Sequence, residues 1–263
     1  MRIFTANKQK INYMRLYLLL ALVLLLNYQS LAQKKYDNDV RAIYLNFSGA
    51  FQIPQGDMKV RFGNNSNLGI QTELITGKTN FIFGLYGQFL YGTIVKENVE
   101  RLYLVQGVML GTDQTATALY KKERGLLFGG HFGKLFAINH EKNPRSGIRA
   151  TLGIGMFRHW IKITDEFNSA KQFQGDYLKG YDRLTAGIAL TPFLGYQHTS
   201  LSRYLNLTIG VEYTAAFTQS QRSWDYDLFS GDNNKRIDGL LGFRVGFSLP
   251  IYIGDSKADV EYK

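Results

Sequence analysis

The chain has no cysteine in its 263 residues, which excludes a disulfide framework and any thiolate metal site. It has only 4 prolines, so long stretches can run as unbroken strands. Beyond residue 32 there is no apolar run approaching the ~20 residues that a spanning helix needs. Histidine is scarce, 4 in all, and none stands in a His-x-His or H-E-x-x-H spacing, so no metal site is expected. No P-loop, no helix-opening G-x-G-x-x-G and no G-x-S-x-G occurs; Gly153-Ile154-Gly155 reads as strand glycine. Nothing calls for a cofactor.

What the chain does have is glycine and aromatics: 27 Gly, 18 Phe and 17 Tyr. Many glycines with few prolines suit closely packed, sharply curved strands. The net charge of +10 suggests an anionic partner until it is divided. Four of those charges (Arg2, Lys8, Lys10, Arg15) fall in Met1–Ala32, which has no acid. The run Leu18–Leu26 follows them, and Ser30-Leu31-Ala32 puts small residues at −3 and −1 of a cut before Gln33. This is the pattern of a secretory signal peptide, residues 1–32. No Cys follows it, so lipoprotein processing is excluded. Residues 33–40, in which Lys34, Lys35, Asp37 and Asp39 balance, read as a short arm; 41–253 form the main domain, and 254–263 a tail.

The main domain alternates with period two. Ile43, Leu45, Phe47 and Phe51 share one parity; Leu68, Ile70 and Leu74 another. Phe81, Phe83, Leu85, Phe89 and Tyr91 form a nearly unbroken stripe. The same holds for Leu126–Phe132, Ile148–Met156, Leu184–Leu194, Leu205–Phe217 and Ile237–Ile251. In each of these eight segments one face is apolar and the other is Gly, Thr, Gln and a few charges. A soluble sandwich has a polar face richer in Lys and Glu. A Gly-rich polar face fits the crowded lumen of a narrow barrel, whose apolar face meets lipid. The expected fold class is all-β: a closed antiparallel transmembrane β-barrel of eight strands, or ten if 101–122 adds a hairpin to the wall. Long connections (Ile53–Asn67, Thr93–Glu123, Lys162–Asp182, Thr218–Arg236) alternate with short ones (77–80, Asn139–Ser146, His198–Ser202). That alternation suits a Gram-negative outer membrane, with both termini and the short turns in the periplasm.

The pattern resembles the small eight-stranded outer-membrane barrels of the OmpA-transmembrane, OmpX and OmpW type. The resemblance is one of architecture over about Arg41–Tyr252. No residue motif of those families is matched, so no functional residue is carried over. The last strand ends near Tyr252 and a tail follows, whereas such barrels often finish on a C-terminal aromatic.

Five charges, Glu73, Arg149, Glu212, Asp238 and Arg244, point inward by parity. Burial makes them costly unless paired, and Glu212 and Arg244 lie mid-strand on neighbouring strands. They read as a structural plug, with a gate on a narrow solute path as the alternative. A second set reads as interface contacts to membrane lipid and lipopolysaccharide: Lys121, Arg124, Arg158, Trp160, Lys162, Arg183 and Trp224, near the long-loop ends of strands. The same ends carry Lys122, Lys179, Arg222, Lys235 and Arg236, with Tyr120, Tyr177, Tyr181 and Tyr226 as an aromatic girdle. This accounts for the basic excess without nucleic acid. Asp225, Asp227 and Asp232 read as a solvated acidic loop. Some eight-stranded barrels are lipid A acyltransferases or deacylases, and His159 is the one histidine at the long-loop mouth. No nucleophile accompanies it in sequence. The expected role is therefore non-enzymatic, structural or interactive: an accessory subunit of an outer-membrane complex, or surface contact through the long loops with an outer-membrane or external partner.

Overall fold

The computed structural model describes residues 41–105, 108–110, 116–139, 143–165, 167, 169–200 and 206–253. The expected signal peptide, N-terminal arm and C-terminal tail, and His140, lie outside them. Eight strands form the wall: β1 (Ala42–Gln55), β2 (Asn65–Ile75), β3 (Phe81–Gly92), β4 (Leu119–Asn139), β5 (Asn143–Asp165), β6 (Thr185–Thr199), β7 (Asn206–Ser220) and β8 (Lys235–Tyr252). Each pairs antiparallel with its chain neighbours, and β1 pairs with β8 from Ala42↔Tyr252 to Gln55↔Gly239, which closes the barrel. Phe47 and Phe247 face each other across that seam with ring centroids 5.1 Å apart. Both ends of the wall therefore lie at the short-turn end. Among the described residues no helix is long and apolar enough to cross a membrane.

Parity places the side chains as the alternation predicts. Leu68, Ile70, Phe83, Leu85, Phe128, Phe132, Ile154, Ile188, Leu194, Ile209, Phe243 and Ile251 are exposed on the outer wall, Leu85 to 70%. So much exposed apolar surface on every strand needs a nonpolar solvent around the barrel. Phe81 to Tyr91 alone covers about 34 Å of strand, roughly 25 Å in height once tilt is allowed for, the span of a hydrocarbon belt. Leu184 departs from its expected outward place: it precedes β6 and is buried.

The narrow bore is set by glycine. Gly129 and Gly155 are direct partners across β4 and β5. A Cβ on either would come within 2.2–2.3 Å of a backbone carbonyl of the other strand, and one on Gly155 would also meet the Tyr86 hydroxyl at 2.9 Å. The backbones approach, and the Tyr86 ring takes the space.

Among the described residues of 101–118, none adds a strand to the ring, and Leu119 already belongs to β4. Leu104–Val105, Val108–Leu110 and Ala116–Thr117 form a separate three-stranded sheet. A short helix not expected from sequence, α1 (Gly56–Arg61), follows β1. Gly56 makes that turn with φ +57, where a Cβ would meet the Ile237 carbonyl at 2.4 Å. Asp57 fixes the helix to the wall by accepting from the Ile237 amide at 2.7 Å.

Strands β4 and β5 continue well past the belt, to Leu119 and Asp165. Here the alternation inverts without a change of register. Below, the outward residues are Leu126, Phe128, Ile154 and Met156. Above, Lys122, Arg124, Arg158 and Lys162 face outward beside Tyr120 and Trp160, while Ile161 and Ile163 turn inward and are buried, as Leu127 and Phe157 are one rung below. An apolar-out sheet belongs in lipid and an apolar-in sheet in water. The inversion therefore marks the edge of the belt at Leu126↔Arg158, a direct cross-strand pair.

The apolar core sits mainly at this long-loop end. Met58, Phe62, Leu90, Val99, Met109, Leu127, Phe157, Ile161, Phe173 and Tyr181 pack together there. A smaller cluster of Ala42, Tyr44, Ile75, Ile82 and Leu135 packs at the short-turn end. The polar lumen lies between the two.

Candidate functional site

The mid-lumen residues form one hydrogen-bonded network. Arg244 donates to the Glu212 carboxylate at 3.0 Å, and Asn67, Gln52 and Gln88 donate to it at 3.2–3.4 Å. The Arg244 guanidinium lies 3.8 Å above the Phe193 ring. Arg149 pairs with Glu73 and donates to Gln197 at 3.0 Å, and His131 Nε2 lies 3.1 Å from Glu73. Gln71 lies between the two pairs, and with its amide turned to match its neighbours its nitrogen donates to Glu73 at 3.0 Å and its oxygen accepts from Arg244 at 3.2 Å. All these charges are buried, and each is paired, as a low dielectric requires of buried ions. The cavity beside Arg244, Tyr86 and His131 has about 10 Å³, room for one water.

Asp238 is not part of this network. It accepts from Thr218 at 2.5 Å and lies 3.0 Å from His159 Nε2, nearer the long-loop end. His159 is fully buried between Phe62 and Phe157 and faces the lumen, not the lipid wall. The histidine that sequence set at the mouth is thus sealed inside it.

Above this layer the long connections fold over the barrel as a cap. A buried ion cluster ties them together. Arg183 pairs with Glu97, Asp225 and Asp227 at 2.7–2.9 Å. Arg61 pairs with Glu97 from the other side, and Arg101 donates to the Asp227 carbonyl at 3.1 Å. Lys121 pairs with Glu100 at 2.7 Å, Arg222 with Asp182 at 2.5 Å, and Arg236 with Asp232. Burial pushes the Glu97 carboxyl up, but the Arg61 and Arg183 guanidiniums outweigh it and hold the group below its ordinary value. Burial wins at Asp225, which is raised despite Arg183 beside it. The acidic loop expected from sequence is therefore consumed by arginines, and among the described residues no group of acids and histidines is arranged to hold a metal.

These pairings correct the expected interface set. Arg183 is buried in the cap, and Lys121 turns inward to Glu100, so neither reaches the outer wall. Tyr181 is buried in the cap core, so it takes no part in an outer girdle. Trp224, Tyr177 and Tyr226 stand in the cap instead. With Tyr103, Tyr181, Phe229, Lys171 and Gln172 they line an open cleft of about 760 Å³. Its floor is rigid: Tyr103 and Tyr181 hydroxyls meet at 2.6 Å, and the Tyr181 ring packs on Phe173 and Tyr226 at 4.6 and 5.5 Å. Tyr226 lies so close to Gly180 that a Cβ there would stand 2.1 Å from the ring. Burial, then the Tyr103 hydroxyl, raise the Tyr181 hydroxyl well above its ordinary value. Phe229 is held at φ +51 with its ring 69% exposed. That is a strained backbone for a bulky residue, spent on keeping an apolar ring in the open. Only Arg124, Arg158, Trp160 and Lys162 of the expected interface set lie on the outer wall.

No family model matches the chain, and no curated protein matches it. Among solved structures it is similar to Neisserial surface protein A, with 10% identity and a TM-score of 0.42, over 79% of this chain and 97% of that one. It is also similar to Ail, the attachment invasion locus protein of Yersinia pestis, with 10% identity and a TM-score of 0.35, over 80% and 99%. The outer membrane protein OprG from Pseudomonas aeruginosa gives 10% identity and a TM-score of 0.37, over 82% and 99%. All three are small eight-stranded outer-membrane β-barrels, the architecture that the sequence resembles.

Proposed function

We propose that the chain is an integral outer-membrane barrel without enzymatic activity, whose long-loop end faces outward and presents its cap as an interaction surface. The continuous apolar belt supports lipid around the wall, and the inverted end of β4 and β5 supports water above it. The short turns and both ends of the barrel then face the periplasm. His159, fully buried with its Nε2 against Asp238, offers no base to a lipid substrate on the wall.

The observation that carries the interaction reading is the cleft. Exposed Tyr177, Trp224, Tyr226 and Phe229 are held around it by a buried ion cluster. Rigid aromatic side chains with a few polar neighbours are what recognition surfaces use, because little entropy is lost on contact. The partner is a protein or glycan at the cell surface. Photo-crosslinking in intact cells tests this. A crosslinker at Tyr177 or Phe229 is expected to yield a discrete macromolecular adduct, and one at Phe83 on the belt to yield lipid alone. Cap positions that give no adduct would sink the reading.

A further inference from the structure

The cations of the long-loop end fall into two groups. In the cap, Arg61, Lys121, Arg183, Arg222 and Arg236 each meet a carboxylate, and Lys96 and Arg101 donate to backbone carbonyls. Those on the outer wall of β4 and β5 stand apart. Among the described residues, Lys122, Arg124, Arg158 and Lys162 form no ion pair. Lys122 and Lys162 are direct cross-strand partners, so their Cα atoms are about 5 Å apart. Like charges placed directly opposite destabilise a sheet. The acids next to them in sequence form no ion pair with them, although Arg124 donates to the Glu123 backbone carbonyl at 2.6 Å. Glu123 and Asp165 point inward, are buried, and are bound to Asn65 and to Thr117 and the Ala170 amide. Among the described residues, no carboxylate of β4 or β5 shares this part of the wall with the cations, which stand beside Tyr120, Trp160 and Thr164. Arg158 stacks on Trp160 at 6.0 Å, and Arg124 lies beside Trp160 and Tyr91 in register.

Height identifies the missing counter-ion. Arg158 stands in the rung of Leu126, the last apolar rung of the belt. Lys162 is about 13 Å further along the strand, and less in height because strands tilt. The four charges thus span the layer where lipid headgroups begin. The apolar stripe beneath them (Leu126, Phe128, Ile154, Met156) suits acyl chains.

We infer that this patch is a binding site for a phosphate-bearing lipid headgroup in the leaflet at the long-loop end, with Lys122, Arg158 and Lys162 as the phosphate contacts and Trp160 as the wall of the site. The inference rests on the barrel lying in a membrane and is independent of the cap. A bound phosphate neutralises the Lys122–Lys162 repulsion, which gives the uncompensated pair its reason.

The test uses the full-length barrel reconstituted in phosphatidylcholine vesicles containing a bisphosphorylated glycolipid, with lipid retention read by native mass spectrometry after mild extraction. Wild type is expected to retain the phosphorylated lipid. The variant K122Q/R158Q/K162Q should bind it about a hundredfold more weakly, about fivefold for each cation removed. K134Q, a wall cation at the opposite end of β4, should leave retention unchanged. Flotation with vesicles and the β-sheet circular dichroism signal show that each variant is inserted and folded. Equal retention by the triple variant and wild type would overturn the site. Competition by millimolar inorganic pyrophosphate as effective as the lipid would overturn its assignment to a lipid. A wild-type barrel that does not float with vesicles would overturn the membrane reading, and this site with it.

Discussion

Glu212 is fully buried, yet its carboxylate has four polar neighbours from four other strands, Arg244, Gln52, Asn67 and Gln88. That makes it the hub of the lumen. Glu212→Ala removes the charge and leaves Arg244 buried near Arg149 with no carboxylate partner, only the Gln71 amide and the Phe193 ring. The expected cost is about 3–5 kcal/mol, as for other broken buried pairs. The double change Glu212→Leu with Arg244→Met should recover most of it, because an apolar replacement removes both desolvation penalties. Urea unfolding in detergent micelles reads the two values; a single change that costs no more than the double one would show that the pair is not a unit. The Glu212–Arg244 contact was legible in sequence, since adjacent strands and inward parity bring the two together. The Asp238–His159 contact was not. Those residues sit on strands that do not pair, across the bore, and parity alone names no partner. Lys121 shows a different limit. Its inward turn follows from the parity of β4 once that strand is carried out to Leu119, but the loop appeared to begin earlier because its apolar stripe stops.

At the scale of elements, apolar periodicity located eight strands and missed their outer ends. The reason is the change of solvent at Leu126↔Arg158: beyond it the pattern persists with its faces exchanged, and a reading that expects apolar-out stops there. The α1 helix was not legible because six residues are too few to show a helical period. The cap was not legible because its ties join distant segments, Arg61 to Glu97 and Arg183 to Asp225 and Asp227. Those ties predict how the cap responds to acid. The Glu97 group is held below its ordinary value of 4.5. A depressed carboxyl contributes stability that is present above the unfolded value and lost as pH falls through the folded one. Cap protection should therefore hold at neutral pH and weaken only below 4.5, as read by proteolysis of the long loops on the intact barrel. In Glu97→Gln the cap should already be cut at pH 7, since Arg61 and Arg183 lose a shared partner, and the acid dependence should flatten. Equal protection of variant and wild type across this range would remove Glu97 from the account.

The whole molecule is a barrel closed twice. The charged layer around Glu212 and Glu73 lies between the large apolar cluster under the cap and the smaller one of Tyr44, Ile75, Ile82 and Leu135. Water would have to cross both, and the lumen cavity beside Arg244 holds room for about one molecule. Eight strands enclose a space that side chains just fill, and here the filling is layered rather than uniform. A gate built on one ion pair requires that breaking the pair open a path. In this arrangement it opens none, because the layers on either side are apolar, packed and independent of the charge. The expected outcome in planar bilayers is silence: no conductance steps above background for wild type, and none for Glu212→Ala, although that variant unfolds more easily. Steps should appear only when both seals are breached together with the network, for example in Phe62→Ala/Phe157→Ala/Tyr44→Ala combined with Glu212→Ala. Regular steps from the wild-type barrel, or from Glu212→Ala alone, would mean that the seals leak and that the charged layer is a passage rather than a plug.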